Sequence, residues 1–547
     1  MKLKKFLENA EGIKRSFALI FSLSFILQLF AILSPLYIQF VVDIVLKSHQ
    51  PEILLILAIG FSLLYIIDAA TTYFRQTLIL SFSTQFNLQV SHNVFFHLLR
   101  LPFSYFSKKL LGDLISRFSS LTSIRDFITV SFIEALVDGV IVLLTLLVMF
   151  LYSPIITLVV LLSVFILCSY MVIMYKKAYF LNEEYIVTKA LENSVFIETL
   201  QAIQSIKLLG LESNRGNLWL NKYAEALTKE VEKKKVEINF DVFKRILSGL
   251  ETILVVYIGA LAVLNEEFTL GMLFAFLALK MRFTESIQKL TLNIFEFKML
   301  NLHFTRLSDI LLTPKEESYN LKKEHVFHSG GSEEFSLKVF GLSYDFGVSE
   351  ELLLNDLSFS IKFGEYVAIT GSSGVGKSTL MKILMGLLSP TSGKVMINNT
   401  EIKLINNYNK IIAGVLQDDV LLAGTIAQNI ASFGESTNLE SIMNSAKSAC
   451  IHDEIMDMPM NYNTMVGDMG TNLSGGQKQR ILIARALYRS PKILFMDEAT
   501  SHLDVQNEKK LNESLRKLNI TRIIIAHRPN TINSADRIIH LTKEGIA

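Results

Sequence analysis

Residues 365–388 read EYVAITGSSGVGKSTLMKILMGLL, and the change of pattern inside this stretch decides the fold of the second half of the chain. Val367-Ala368-Ile369-Thr370 is an apolar run of the kind that forms a strand buried on both faces. At Gly371 the composition turns to glycine and serine, and an apolar helical run follows from Leu380 to Leu388. Strand, glycine-rich loop and helix in that order make a P-loop. Its glycines let successive N–H groups point inward at phosphate, and the helix N-terminus adds a favourable dipole. Gly371, Ser372, Ser373, Gly374, Val375, Gly376, Lys377, Ser378 and Thr379 are therefore candidates for binding a nucleotide phosphate. Within them, Lys377 is placed for the β- and γ-phosphates and the Ser378 hydroxyl for Mg²⁺.

Two further stretches belong with this loop. Ile493-Leu494-Phe495-Met496 reads as a central strand and ends in Asp497-Glu498. A carboxylate at the carboxyl end of such a strand reaches a Mg²⁺ shell, so Asp497 is a candidate metal ligand, and Glu498 is placed to polarise an attacking water. The plainer alternative, an acidic pair capping a helix, does not explain the P-loop upstream. Leu473-Ser474-Gly475-Gly476-Gln477 then leads into a helix over Lys478–Tyr488. That is a second anion-binding helix N-terminus, although alone it could be an N-cap with a flexible loop. One chain thus carries two anion sites where one nucleotide needs one.

The first half has a different solvent. Of 547 residues, 50% are hydrophobic and 19% charged, with a mean hydropathy of +0.39; soluble chains carry about 25% charge. Apolar stretches long enough to span a bilayer lie near residues 17–46, 53–82, 127–151, 154–176, 246–264 and 268–296. Lys and Arg crowd the N-terminus (Lys2, Lys4, Lys5, Lys14, Arg15), the connection holding Arg100–Arg125 and the stretch Lys176–Arg245. The loops at 152–154 and 265–268 have none. Basic loops stay cytoplasmic, which puts both termini there and predicts six spans in a cytoplasmic (inner) membrane, in contact with lipid. Residues 83–125 and 177–245 keep helical spacing beyond the bilayer, with breaks near Leu101-Pro102 and Leu209-Gly210. The polar stretch 313–334 reads as a linker between a membrane domain, 1–312, and a soluble domain, 335–547.

Asp68, Asp138, Glu251, Lys280 and Arg282 fall inside the expected spans, about 20 Å from the outer ends at 1.5 Å per residue. Such groups pair between helices or line a watered cavity, and either reading fits. The net charge of +2 shows no basic excess of the kind that marks a nucleic-acid binder. Cys168 and Cys450 are the two cysteines, too few for a disulfide framework or a cysteine-rich zinc site, and read as packed thiols.

Taken together, GSSGVGKST, LSGGQ and ILFMDE make the chain similar to the ABC transporter superfamily, and lesser motifs follow in the family's order. Tyr344 resembles the aromatic that stacks on adenine. Gln417, in VLQDDVLLAGTIAQNI, resembles the glutamine that senses the Mg²⁺ site. Val466-Gly467-Asp468 resembles the loop that touches the cytoplasmic helices. Asp504, in Ser501-His502-Leu503-Asp504, resembles the loop that communicates across the dimer, with His502 where many members have alanine. His527 resembles the histidine that contacts the γ-phosphate.

The resemblance implies an all-α six-helix transmembrane bundle followed by an α/β P-loop, RecA-like ATPase domain with a helical subdomain. It implies ATP and Mg²⁺ as cofactors, and Glu498, His527 and Gln417 as catalytic residues. Ser378, Gln417 and Asp497 would serve the metal. Ser474, Gly475, Gly476 and Gln477 would face the ATP of a partner in a head-to-tail homodimer, a heterodimer with a degenerate partner being the alternative. The breaks near Pro102 and Gly210 would be coupling helices, and alternating access would move cargo outward.

Within exporters, LPFSYFSKKLLGDLISRF and LSGGQKQRILIARALYRSPKILFMDEATSHLD look closest to colicin V and other bacteriocin peptide exporters. A peptide cargo, with periplasmic or outer-membrane partners, is therefore expected. Many such exporters carry an N-terminal cysteine peptidase; 16 residues precede the first expected span and neither cysteine lies there, so no peptidase is expected here. The family's last hairpin and helix would fall beyond Arg537–Leu541. A lipid or multidrug exporter shares the same motifs and stays open. A non-transporting channel or regulator fits less well, because Glu498 and LSGGQ are intact.

Overall fold

The computed structural model describes residues 13–109, 111–316, 336–345, 352–405, 408–434, 438–467, 470, 472–501, 503–542 and 545–546. Asp468, His502, most of the expected linker and the N-terminal Lys2, Lys4 and Lys5 lie outside them. The chain divides into two compact units. One comprises residues 1–101 and 108–314; the other comprises 102–107 and 315–547.

The first unit is built from six long helices. They are α1 (Ile13–Phe40, continued through a π turn to Ser48), α2 (Pro51–Leu99), α3 (Leu111–Tyr152, with a π turn at Phe127–Ser131), α4 (Pro154–Gln201), α5 (Glu212–Leu264) and α6 (Leu270–Leu311). Among the described residues, five helices, α1 to α5, are long and apolar enough to cross a membrane. The sixth matches them in length but carries Lys280, Arg282 and Glu285 within three turns. One side of it packs against protein: Phe276 and Phe283 are fully buried, in a core shared with Met149, Ile156, Val160 and Val255, while Phe274, Met281 and Leu292 are exposed. The apolar window of α2 buries none of its residues, as suits a face meant for lipid.

Local chemistry sets the ends of these helices. Ser153 caps α4, with Pro154 at its first position. Thr269 caps α6 and accepts from Met272 N at 3.0 Å. Asp43 of the α1 extension accepts from Thr269 Oγ1 at 2.5 Å and from Gly271 N at 3.2 Å. A Cβ at Gly271 would stand 2.6 Å from that carboxylate, so the close approach needs glycine. At the other end, the long helices break at Arg100–Pro102 and between Gln201 and Glu212, where Gly210 takes a φ of 66°.

The membrane charges separate in kind. Lys280 Nζ lies 3.3 Å from Glu251 Oε1 with both side chains under 5% exposed. Lys280 also donates to Thr252 Oγ1 at 2.7 Å, and Ser163 donates to Glu251 at 2.7 Å. This cluster ties α4, α5 and α6 together. Asp138 is buried as well, Asp68 is half-buried and Arg282 is exposed.

The second unit contains β1 (Ser336–Tyr344), β2 (Leu354–Lys362), β3 (Tyr366–Gly371), α7 (Lys377–Leu384), β4 (Ser392–Ile397), β5 (Thr400–Glu401), β6 (Ile412–Val415), β7 (Gly424–Thr425), α8 (Leu439–Ser448), β8 (Met465–Val466), α9 (Gly475–Tyr488), β9 (Ile493–Asp497), α10 (Val505–Arg516), β10 (Thr521–Ile525), β11 (Arg537–Thr542) and β12 (Gly545–Ile546). The main sheet runs β12-β11-β3-β10-β9-β6, with its inner pairings parallel. A smaller antiparallel sheet runs β2-β1-β4-β5.

Strand alternation divides the apolar residues into two cores. Val367, Ile369, Phe495 and Ile525 join Leu380 and Ile383 of α7 and the small sheet's Leu337, Val339 and Val395. Tyr366, Ala368, Leu494 and Met496 join Ile481 and Ile483 of α9, Leu511 of α10 and Ile442 of α8. The P-loop helix and the LSGGQ helix therefore pack on opposite faces of one sheet.

Candidate active site

The loop between β3 and α7 takes its shape from three glycines at positive φ: Gly371 (149°), Gly374 (80°) and Gly376 (101°). A Cβ at Gly371 would meet the Leu541 carbonyl at 2.4 Å, and one at Gly376 would meet Leu354 at 2.7 Å. Neither position tolerates a side chain. Lys377 is 7% exposed and folds back to donate to the carbonyls of Gly371 (2.8 Å) and Ser372 (2.9 Å). Val375 packs into the same core as Tyr344, which is 8% exposed. Burial pushes the Tyr344 hydroxyl above its ordinary pKa.

Ser378 and Asp497 meet across this loop. Asp497, at the end of β9, is 3% exposed, and burial raises its carboxyl pKa even though Ser378 hydrogen-bonds to it. A hydroxyl and a buried carboxylate in contact form a hard oxygen pair. Mg²⁺ typically takes one or two such protein oxygens beside substrate phosphates and water, so these two residues fit the ion.

Glu498 follows at a φ of 52°, a strained backbone for a residue with a side chain. Its amide donates to Ile525 O at 3.4 Å and its carbonyl accepts from Ser501 N at 3.0 Å. The turn aims the carboxylate at two other expected residues. Gln417 Nε2 lies 3.3 Å from Glu498 Oε2, and His527 Nε2 lies 3.3 Å from Glu498 Oε1. Gln417 stands on a turn that Asp419 closes by accepting from Leu416 N at 3.0 Å. His527 stands just beyond β10. Two residues 110 positions apart thus flank one carboxylate.

LSGGQ forms a capping box at the head of α9. Ser474 Oγ accepts from Gln477 N at 3.2 Å, and Gln477 Oε1 accepts from Ser474 N at 3.1 Å. Gly475 and Gly476 begin the helix. Asp504 caps α10, accepting from Asn507 N at 2.7 Å. Further along α9, Gln479 Nε2 donates to Glu498 O at 3.4 Å, so the helix reaches the Glu498 backbone while its capping box stays self-contained.

Sequence reading passed over several residues beside these motifs. Glu454 binds Gln477 Nε2 at 3.1 Å and Arg480 Nη1 at 2.6 Å, steadying the head of α9. Gln479, Arg528 and Glu508 hold the loop after Glu498. Gln479 and Arg528 each lie within two residues of a named motif, which was the available signal. Glu508 carried none.

Residues 17–287 match the family described as ABC transporter transmembrane region, and residues 354–501 match the one described as ABC transporter. A probable microcin-H47 secretion/processing ATP-binding protein of Escherichia coli is 37% identical over 543 residues, 99% of this chain and 77% of that protein. The colicin V secretion/processing ATP-binding protein of the same species is 38% identical over the same shares. An alpha-hemolysin translocation ATP-binding protein of Escherichia coli is 31% identical over 95% of this chain and 73% of its own length. A solved bacterial Atm1-family ABC exporter with ATP bound shares the fold, with a TM-score of 0.87 at 21% identity over 98% of this chain and 95% of that one.

Proposed function

Because the chain belongs to the ABC transporter family, as an exporter in which ATP hydrolysis drives transport, we propose that two copies pair head to tail and export an amphipathic, bacteriocin-like peptide. One observation carries the pairing. The P-loop helix and the LSGGQ helix stand on opposite faces of a single sheet. A nucleotide cradled by one copy's loop is then best placed to meet the signature of the other copy.

In this reading Glu498 accepts a proton from the attacking water, and His527 and Gln417 hold its two oxygens in place. Contacts of 3.3 Å suit a site that tightens on binding substrate. Lys377 exchanges its loop carbonyls for β- and γ-phosphate oxygens. Ser378 and Asp497, with Gln417 as the resemblance implies, would hold Mg²⁺, which when bound would neutralise developing phosphate charge. Tyr344, packed in the core at 8% exposure, leaves little of its ring for adenine, so the stacking role that the resemblance gave it is not carried over. Ser474, Gly475, Gly476, Gln477 and Asp504 act on the partner's nucleotide.

The cargo proposal is supported by the names of relatives at 37% and 38% identity, which concern microcin H47 and colicin V secretion. It is supported as well by a cavity of about 300 Å³ among α4, α5 and α6. Met171, Met174, Phe240 and Phe295 make its walls, while Lys233, Glu237 and Asp241 add charge. Methionine-rich walls adapt to varied apolar side chains. The distribution of Lys and Arg supports a cytoplasmic (inner) membrane location with both termini inside. Periplasmic or outer-membrane export partners belong to the same proposal.

The test is ATP-dependent uptake of a labelled bacteriocin-like peptide into inside-out proteoliposomes, with Glu498→Gln as the blank. Uptake lost in the variant is the expected result. Hydrolysis without peptide uptake would overturn the cargo reading and move lipids and amphipathic drugs to the front.

A further inference from the structure

The loop joining β9 to α10 is held from a side that the reaction does not use. Arg528 directly follows His527, and its guanidinium reaches back to this loop with three bonds. Nη2 donates to Ser501 O at 2.8 Å, and Nη1 donates to Leu503 O at 2.8 Å and to Glu508 Oε2 at 2.9 Å. Glu508, on α10, is 5% exposed. Its other oxygen accepts from Thr500 Oγ1 at 3.2 Å and from Thr531 Oγ1. A buried carboxylate with so full a set of donors, all from its own chain, has an anchoring task. It fixes the fork of Arg528, and the fork fixes the carbonyls of Ser501 and Leu503.

On the other side, Gln479 Nε2 donates to Ser501 Oγ at 3.1 Å and to Glu498 O at 3.4 Å. Gln479 lies in the second turn of α9, whose first residues are the LSGGQ glycines. The turn from Glu498 to Leu503 is thus gripped by the residue beside the histidine on one flank and by the signature helix on the other. Any displacement of His527 moves the backbone that carries Arg528. Through rigid bonds to carbonyl oxygens, that displacement reaches Ser501 and Leu503.

We propose that Arg528, anchored by Glu508, is a positioning residue that couples His527 to the loop Ser501–Leu503 and so holds Glu498 in its strained, hydrolysis-ready turn. Arginine is required because a planar fork serves two carbonyls and a carboxylate at once; a lysine ammonium on a flexible stem does not reproduce that geometry. Neither Arg528 nor Glu508 belongs to the phosphate loop, so nucleotide binding is not their task.

The test compares Arg528→Gln, Arg528→Lys and Thr531→Val in the full-length protein in lipid nanodiscs. Steady-state ATPase, affinity for a fluorescent ATP analogue and Tm are measured for each. Both Arg528 variants should lower kcat by about 10-fold or more, since small misplacements of a reacting group cost that much, while KM for ATP and analogue affinity stay within about twofold. Arg528→Lys failing to rescue is the signature of the fork. Thr531→Val removes one bond to Glu508 and leaves Arg528 in place, so it should give a smaller fall in kcat and serves if the Arg528 variants fail to fold. Wild-type kcat in Arg528→Lys, or a Thr531→Val protein with unchanged kcat, would overturn the proposal. So would losses of kcat, affinity and Tm that run in parallel, which would mark a merely structural bond.

Discussion

Asp497 is nearly fully buried, and that burial raises its carboxyl pKa from 3.8. A carboxyl whose folded pKa exceeds its unfolded value binds its proton more tightly when folded. Ionising it therefore costs stability, a cost absent below pH 3.8 that grows as pH rises through the raised value. Asp497→Asn should accordingly raise Tm of the protein free of nucleotide and Mg²⁺ by about 2 °C or more at pH 7.5. The gain should vanish near pH 4, and the same variant should lose Mg²⁺-dependent ATPase. Scanning calorimetry at both pH values checks it; an unchanged or lower Tm at pH 7.5 would contradict the assignment. Asp497, Glu498, Gln417 and His527 were all legible as residue types in motifs. The 3.3 Å contacts that gather the last three were not, because they span separate strands and turns.

Elements of the membrane unit are joined by a polar cluster as well as by apolar packing. Breaking a buried ion pair leaves an uncompensated charge and costs about 3–5 kcal/mol, whereas removing both charges can be nearly neutral. Lys280→Met should therefore lower thermal stability strongly, and Lys280→Met with Glu251→Gln should recover most of the loss. Tm in detergent distinguishes the pairing role from a cargo role: if both proteins keep wild-type Tm but lose peptide uptake, the pair serves transport. The sequence placed Glu251 and Lys280 at matching depth, as helical rise allows. It could not pair them, because Asp68, Asp138 and Arg282 lie at similar depth and only helix rotation decides which charges face inward. The sixth helix illustrates the same point. Of its charges, Lys280 turns inward to Glu251, whereas Arg282 and Glu285 stay exposed.

At the scale of the whole molecule, the P-loop helix and the LSGGQ helix pack on different faces of one sheet, and the proposed pairing of two copies makes a test of composite sites direct. Lys377→Ala and Ser474→Arg should each abolish ATPase. A mixture assembled from both variants should recover a fraction of it, because one composite site then has both a sound P-loop and a sound signature. ATPase of co-reconstituted variants reads this out directly. No recovery at any mixing ratio would count against composite sites.

The sequence by itself determined the order of the two domains, the nucleotide chemistry and the family. Those follow from local signals: apolar length for membrane helices, glycine spacing for the phosphate loop, and strand–acid and serine–glycine patterns at element ends. The tertiary structure alone decided which charges in the membrane pair, which residues converge on Glu498, and how Arg528, Glu508 and Gln479 hold the loop after it. Those contacts depend on helix rotation, strand order and the direction of side chains brought together from distant parts of the chain. Local propensity carries no information about them.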